Sequence, residues 1–172
     1  MDSEVILGID LGTSAVKVLS VTAEGDVLGR GTASYPIHRI REGWAEQDPE
    51  SWWEATVGAV REALAQTRAA TGKDRVRIAG VGFSGQVNGI VALDHSGAVV
   101  RPAIIWLDQR AGDEADHINH VAADVLVRTA LGRASPIHSA SKLVWMLKHE
   151  AERTGAARQI LAPKDFLAYR MT

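Results

Sequence analysis

The sequence of 172 residues contains no cysteine. Disulfide bonds, thiolate catalysis and cysteine-ligated zinc are therefore excluded. The sequence also lacks any apolar run close to the roughly 18 residues of a membrane span, and its acidic first residues are unlike a secretory signal. The net charge is -2, so there is no basic surplus to attract nucleic acid or a membrane surface. We expect a cytoplasmic protein that binds neither.

The composition is that of an ordinary globular domain. Hydrophobic residues make up 46 % and charged residues 23 %, and a chain of this length can bury a substantial core. The pattern of apolar residues predicts three strands, a helix, a further strand and then more helices. That order indicates an α/β domain with a mixed sheet, antiparallel in its first part and flanked by helices.

A polar turn near the N-terminus organises the chain. Two short apolar runs, 5–9 and 16–21, predict strands on either side of it, so the turn closes a hairpin. Glycine lets the backbone approach a ligand, turn amides and hydroxyls suit an anion, and a carboxylate suits hydrated Mg²⁺. The residues that supply these groups are Asp10, Gly12, Thr13 and Ser14. The alternative is an ordinary hairpin turn, in which the same residue types are common.

The rest of the first half shows clear strand and helix signals. A Gly-containing turn precedes a third apolar run. An Asp-Pro pair is a typical helix start, and the apolar residues that follow recur on one helical face. The predicted elements are a strand at 27–35, a helix from Pro49 to Thr71 and a strand at 76–83.

The second half predicts one more hairpin and mostly helices. Residues 90–93 and 99–101 flank a Gly-containing turn. A long helix is expected from about Asp108, and Ser139 or Ser141 is expected to cap another. A short strand and a Pro-started helix should end the chain. The predicted buried face of the long helix is Ala111, Ala115, Ile118, Ala122 and Val125.

Four polar stretches fall at predicted strand ends or in loops. They are residues 10–14, 43–48, 86–89 and 106–110. In open α/β sheets, ligands bind outside the carboxyl ends of the strands. We therefore expect the first, third and fourth stretches to share one cleft.

Four longer stretches share a pattern with a known family. They are Gly8-Ile-Asp-Leu-Gly-Thr-Ser-Ala-Val-Lys17, Gly43-Trp-Ala-Glu-Gln-Asp-Pro49 with Trp52-Trp53, Pro102-Ala-Ile-Ile-Trp-Leu-Asp-Gln-Arg110, and Leu161-Ala-Pro-Lys-Asp165. As an ordered set that extends over nearly the whole chain, they resemble the N-terminal domain of the FGGY carbohydrate kinases, and most closely the xylulokinase members. The first stretch also resembles the first phosphate motif of the superfamily of actin, the heat-shock ATPases and the sugar kinases.

The resemblance implies a fold, a reaction and two cofactors. The fold is ribonuclease-H-like, and in the superfamily ATP binds between two such domains. The reaction is transfer of the γ-phosphoryl group of ATP to a sugar hydroxyl, with Mg²⁺ present, which depends on positioning and charge neutralisation. A small-molecule sugar is the implied partner, with D-xylulose converted to xylulose 5-phosphate.

The resemblance also assigns roles to the phosphate turn. Asp10 is the catalytic residue expected in this chain and would hold Mg²⁺, directly or through water. Gly12, Thr13 and Ser14 would steady the phosphates. Lys17 lies on the second strand, where it either points at the phosphate or is a solvated edge charge.

The implied sugar site consists of Gln86, Val87, Asn88, Trp106 and Asp108. These residues offer polar groups beside an aromatic face. The alternative makes Asp108 a helix N-cap and Trp106 a core residue. Val87 and Asn88 stand where xylulokinases usually have Met and His, so another ketose, a polyol or a sugar acid becomes a serious alternative substrate.

Several aromatic and polar residues of the family pattern are expected to be structural. Trp52, Trp53 and Trp145 should belong to the core, and Trp44 should cover it. Glu46, with the glutamine that follows it, should tie its loop to the next helix.

The same resemblance predicts that residues 1–172 form an N-terminal domain that is incomplete at its C-terminal end, with the second domain absent. The family's catalytic base is an aspartate in a later Gly-rich loop, outside this chain. We therefore expect this chain alone to be inactive, and a non-catalytic sugar-binding or regulatory fragment is the alternative function. A sheet cut short exposes edges and apolar faces, so self-association, for example as a homodimer, is also expected.

Overall fold

The computed structural model describes residues 3–129 and 132–172. Its elements in chain order are β1 (Ser3–Leu11), β2 (Ala15–Val21), β3 (Val27–Ser34), β4 (Glu46–Gln47), α1 (Pro49–Thr71), β5 (Val76–Gly85), β6 (Val91–Leu93), β7 (Ala103–Ile104), α2 (Gly112–Val121), α3 (Ala123–Thr129), α4 (Ser139–His149), α5 (Ala151–Ala156), β8 (Gln159–Leu161) and α6 (Pro163–Met171). None of the helices among the described residues is long and apolar enough to cross a bilayer.

The chain forms two compact units. The first, which we call the sheet unit, comprises Met1–Pro36, Glu50–Gln86 and Lys164–Thr172. The second, which we call the helical unit, comprises Ile37–Pro49 and Val87–Pro163. They are described separately below.

The sheet unit is built on a four-stranded mixed sheet with the order β3-β2-β1-β5. Strands β1, β2 and β3 form the predicted antiparallel meander, and β5 runs parallel to β1. Because side chains alternate along a strand, the odd-numbered residues of β1 from Val5 to Leu11 are buried, whereas Ile6, Gly8 and Asp10 are exposed on the opposite face.

Helix α1 packs very close to β3. A Cβ atom added to Gly31 would lie 1.9 Å from the carbonyl oxygen of Ala59, and one added to Gly29 would lie 2.0 Å from that of Ala63. Small residues on both elements therefore permit the contact. The helix begins at Pro49 and ends at Thr71, as predicted, and Gly72 follows with a φ of +66°, which is typical of a helix C-terminus.

Three aromatic rings complete the core of the sheet unit. Trp52 is fully buried and makes edge-to-face contacts with Tyr35 and Phe166, each with ring centroids 6.5 Å apart. These contacts connect the chain after β3, helix α1 and helix α6. Such pairs contribute about 0.5–1.5 kcal/mol each beyond their area burial, and the core position predicted for Trp52 is confirmed.

The helical unit has two short antiparallel pairs, β4 with β7 and β6 with β8, packed with helices α2 to α5. One cluster in its core consists of Ile90, Ala92, Ile104, Ala111, Trp145 and Met146. Trp44 packs against this cluster, as the sequence predicts. The turn after β6 is as predicted, but residues 99–101 form only an isolated bridge, between Val99 and Leu93, and not the predicted strand. The sequence predicts neither the pairing of β6 with β8 nor the short helix α5.

The predicted long helix from Asp108 is wrong. Helix α2 begins at Gly112, its N-cap is Ala111, and a second helix, α3, follows after a break at Ala122. Asp108 therefore precedes the helix and is not its N-cap. Val125, predicted to be buried, is 50 % exposed.

The predicted cap of α4 is also wrong. The N-cap residue is His138, in an extended conformation and without a side-chain cap hydrogen bond. Ser139 is the first helical residue, and Ser141 is buried within the helix.

Candidate functional site

Strands β1, β2 and β5 place three polar residues side by side on the exposed sheet face. Asp10 lies opposite Lys17 on β2 and opposite Ser84 on β5. Residues opposite each other in a sheet project from the same face, and all three are exposed. Asp10 and Ser84 stand next to the C-terminal ends of the parallel strands β1 and β5, the edge at which ligands of α/β proteins bind.

This exposed face forms a groove of about 660 Å³. Its lining includes Ile6 and Leu19 and, towards the polar row, Asp10, Lys17 and Ser84. Glycines without neighbouring atoms near their Cβ position, among them Gly8 and Gly82, keep the floor open. The groove is therefore an open concave surface with charged groups at the C-terminal edge of β1.

The turn between β1 and β2 is tight. The amide of Gly12 donates a 3.0 Å hydrogen bond to the carbonyl oxygen of Ala15, and a Cβ atom on Gly12 would lie 3.0 Å from that oxygen. On the other side, the amide of Gln86 donates to the carbonyl oxygen of Leu11 at 2.7 Å. The turn is thus held close to the end of β5.

Tyr35 supports the same turn, a role that no local sequence pattern indicates. Its hydroxyl donates to the carbonyl oxygen of Gly12 at 2.5 Å, and its amide donates to that of Ser14 at 3.2 Å. Burial raises the pKa of Tyr35 well above its usual range, and the negative charge of Asp10 raises it further. The hydroxyl therefore stays protonated and remains a donor.

The polar row fits a hydrated magnesium ion carried with a phosphate. Mg²⁺ is usually held by one or two carboxylates together with phosphate oxygens and water. Asp10 offers one exposed carboxylate, and Lys17 offers an ammonium from the opposite strand position. Among residues 3–129 and 132–172, no group of three or more His, Asp or Glu side chains forms a protein-only metal site.

In the helical unit, the loop at Val87–Gly89 has an unusual backbone. Asn88 has a φ of +60°, a left-handed conformation that Asn adopts more readily than most residues. Val87 is 63 % exposed. Gly89 is packed so tightly that a Cβ atom there would lie 2.7 Å from Cγ of Pro163. The loop is therefore closely fitted at Gly89 and exposed at Val87.

Asp108 is completely buried, and both of its carboxylate oxygens are occupied. Oδ2 accepts hydrogen bonds from the amide of Ala45 at 2.6 Å and from the Arg110 guanidinium at 2.7 Å. Oδ1 accepts from the amide and from Nε of Arg110, each at 2.9 Å. In this arrangement Asp108 holds the chain reversal after β7, from which Trp106 projects with 38 % of its surface exposed.

A network of buried ion pairs lies beneath this reversal. Glu46 is paired with Arg101, and with Arg110 at 2.8 Å. Arg101 also reaches Glu150 at 2.7 Å. The sequence predicts that Glu46 ties its loop to the following helix, but its partners are instead two arginines that are distant in the sequence. A buried pair is costly to break because it leaves an uncompensated charge, so these residues are structural.

Trp44 lies between two guanidinium groups. Those of Arg41 and Arg110 are each 3.6 Å from the ring centroid. Trp44 also meets Trp145 edge-to-face at 5.3 Å. These contacts explain the covering role predicted for Trp44, since cation–π contacts favour a cation over the indole face.

The expected site residues therefore fall in two places. Asp10, Gly12, Thr13, Ser14 and Lys17 lie together in the sheet unit, where Gln86 is also found. Val87, Asn88, Trp106 and Asp108 lie in the helical unit. The single cleft expected from the sequence remains a prediction.

The fold defines the class: solved structures that share this mixed sheet and helix arrangement include sugar kinases of the actin-like fold. The FGGY family of carbohydrate kinases, N-terminal domain, matches residues 5–172. The chain belongs to that family.

Individual relatives agree with this assignment. The xylulose kinase of Klebsiella pneumoniae is 38 % identical over 168 residues, which cover 96 % of this chain and 33 % of the relative. The crystal structure of xylulose kinase from Rhodospirillum rubrum matches with a TM-score of 0.85 and 26 % identity, over 96 % of this chain and 34 % of that one.

A glycerol kinase from Plasmodium falciparum, solved with ADP, has a TM-score of 0.89 at 21 % identity, over 99 % of this chain and 35 % of that one. At that identity the likeness concerns the fold alone. The chain spans about a third of the length of the relatives that it matches.

Proposed function

We propose that the full-length gene product transfers the γ-phosphoryl group of ATP to a hydroxyl of D-xylulose, giving xylulose 5-phosphate. The observation that carries this proposal is the exposed row of Asp10 and Lys17 beside a tight glycine turn, in a domain of a carbohydrate-kinase family. The similarity to xylulose kinases over nearly the whole chain supports the choice of sugar.

The chain's own residues would act mainly by positioning charge. Asp10 would hold Mg²⁺, which neutralises phosphate charge when bound. Lys17, opposite Asp10 in the sheet, would add positive charge on the same face. The Gly12 backbone and the hydroxyls of Thr13 and Ser14 would orient the phosphate oxygens, because a turn without a bulky Cβ lets a phosphate approach the amides.

The sugar would be recognised by the loop at Val87–Gly89, together with Gln86 and Trp106. Asn88 can both donate and accept hydrogen bonds, and the exposed part of Trp106 offers an apolar face to carbon-bound hydrogens. The burial of Asp108 and its four hydrogen bonds support an indirect role for it, in which it holds the reversal that presents Trp106.

A second candidate function is phosphorylation of a different ketose, a polyol or a sugar acid. The observation that favours it is the pair Val87 and Asn88 in place of the Met and His expected in xylulokinases. Val87 is exposed and cannot hydrogen-bond through its side chain, and an amide does not titrate as imidazole does. Both changes alter which hydroxyl pattern the loop can recognise.

The test is ADP release by the full-length gene product with ATP and Mg²⁺, across a panel of D-xylulose, other ketoses, glycerol and sugar acids. Turnover with D-xylulose supports the proposal, whereas turnover only with another compound supports the second candidate. No turnover from folded protein would favour a sugar-binding or regulatory role.

The decisive variant is Asp10→Asn, which keeps the shape but removes the charge that would hold Mg²⁺. We expect kcat to fall by roughly a hundredfold or more, because charge neutralisation is central to phosphoryl transfer. The matched control is Asp26→Asn in the exposed turn between β2 and β3, which should leave turnover unchanged. Equal activity of both variants would contradict the role of Asp10.

A further inference from the structure

Lys142 is a fully buried lysine in helix α4. Its side chain has no exposed surface, which is rare for lysine unless the ammonium is well paired. Its Nζ atom donates hydrogen bonds to the carbonyl oxygens of Asn88, at 2.6 Å, and of Ile137. The direct acceptors of this ammonium are therefore two backbone carbonyls from loops that are far apart in the sequence.

One of those carbonyls belongs to the residue with the left-handed backbone. A φ of +60° at Asn88 is less favourable than the ordinary α or β conformations for a residue with a Cβ atom. Such a conformation persists when its surroundings hold it in place. The hydrogen bond from Lys142 holds the peptide that follows Asn88, and the tight contact of Gly89 with Pro163 restrains the next residue.

The charges around the ammonium belong to the reversal that presents Trp106. Asp108 attracts the ammonium and Arg110 repels it, and these two residues are themselves paired at 2.7 Å. Burial lowers the pKa of Lys142 to about 8. The ammonium therefore lies in the helical unit where helix α4, the loop of Asn88 and the charges of the reversal come together.

We propose that Lys142 is a positioning residue of the sugar site, whose ammonium holds the Asn88 carbonyl and so fixes the direction in which the Asn88 side chain meets the sugar. The inference rests on the proposed function, because it takes Asn88 to be a sugar contact. Through its bond to Ile137, Lys142 also ties the start of α4 to this loop. Recognition of the sugar then depends on a residue that does not itself touch the sugar.

The test compares Lys142→Met with wild type in the full-length gene product. Methionine has a similar length but no donor. We expect the KM for the sugar to rise roughly tenfold or more, since a small displacement of a contact group is costly, while the KM for ATP changes less than about twofold. The ratio of kcat/KM between the best and the second-best sugar should also fall.

The KM for the sugar and the ratio of kcat/KM between two sugars distinguish a positioning role of Lys142 from a simple loss of folded protein. A smaller folded fraction lowers the apparent kcat but leaves KM and the ratio between sugars unchanged. The matched control is Lys148→Met on the same helix, where the lysine side chain is 60 % exposed, and it should behave as wild type. If Lys142→Met does not fold, Lys142→Gln replaces it, because its amide nitrogen is one bond short of the ammonium position.

A double-mutant cycle tests whether Lys142 affects the KM for the sugar through Asn88. Glycine adopts a positive φ without strain, and Asn88→Gly removes the side chain that Lys142 is proposed to orient. In that background, changing Lys142 should no longer alter the KM for the sugar. An unchanged sugar KM in the folded Lys142 variant, or an equal rise in both backgrounds, would overturn the inference alone. Wild-type protein without turnover on any sugar would overturn the proposed function, and this inference with it.

Discussion

Two pairs of charged residues, one in each unit, have opposite environments. Asp10 and Lys17 are exposed and stand opposite each other, whereas Asp108 and Lys142 are fully buried. An exposed charge is available to a ligand, while a buried and hydrogen-bonded charge mainly fixes its neighbours. This contrast explains why we place Mg²⁺ and phosphate binding in the first pair and loop positioning in the second.

Lys142 makes a prediction about stability and pH. Its pKa in the folded protein is about 8, compared with 10.5 ordinarily, so between these values the unfolded state binds more protons. Stability rises with pH wherever that holds. We expect the free energy of unfolding of wild type, relative to Lys142→Met, to rise from pH 8 to pH 10 by at most about 1.4 kcal/mol per pH unit.

Urea unfolding of the full-length gene product at several pH values measures this difference. The difference in unfolding free energy between wild type and Lys148→Met should not change with pH, because Lys148 is largely exposed. If the difference in unfolding free energy between wild type and Lys142→Met does not change with pH, burial does not disfavour the charged form of Lys142.

At the scale of elements, helix α1 and strand β3 pack so closely that they leave no room for a Cβ atom at Gly31. Gly31→Ala would bring a Cβ atom within 1.9 Å of the Ala59 carbonyl oxygen, and that oxygen belongs to the helix backbone. The helix or the strand must therefore shift. We expect a loss of about 2–4 kcal/mol in unfolding free energy, measured by urea denaturation.

The helix offers a matched control for that substitution. Gly58 lies within α1, and an added Cβ atom there would have no atom within 4 Å. Gly58→Ala should therefore stabilise the protein by about 0.5–1 kcal/mol, because glycine is costly inside a helix. Similar destabilisation by both substitutions would show that the packing between α1 and β3 is not the cause.

At the scale of the whole chain, the exposed sheet face is unusually apolar for a surface. Ile6 and Leu19 lie on it with 43 % and 41 % of their surfaces exposed. We expect the 172-residue polypeptide, produced by itself, to self-associate through this face, with a weight-average mass in analytical ultracentrifugation that rises with concentration. Leu19→Ser should reduce the association.

The control for this measurement is Ile40→Ser, since Ile40 is 63 % exposed but lies in the helical unit. It should leave the association unchanged. A single monomeric species at all concentrations would contradict the prediction.

The sequence predicts those parts of the chain whose structure depends on local patterns. Alternation and turn residues correctly indicate β1, β2 and β3, and the Asp-Pro start correctly places α1 at Pro49. The break at Ala122 was missed because the apolar spacing continues through it to Val125, although that residue is exposed in the structure.

Contacts over long sequence distances could not be predicted from such patterns. The hydroxyl of Tyr35 reaches the carbonyl oxygen of Gly12, 23 residues away. The ammonium of Lys142 reaches the carbonyl oxygen of Asn88, 54 residues away. Neither residue type signals its partner. The polar residues of the candidate site were identified by their chemistry and family resemblance, whereas the groups that support them required the fold.

The pairing of Asp10 with Lys17 has an evolutionary consequence. Side chains in a strand alternate between faces, so a shift of one residue in register exchanges the two faces. A single inserted or deleted codon between Leu11 and Ala15 would turn Lys17 towards the core or force β2 to slip against β1. Over time this hairpin can therefore accept substitutions but not changes in length, and homologous sequences that keep the site should align through it without gaps.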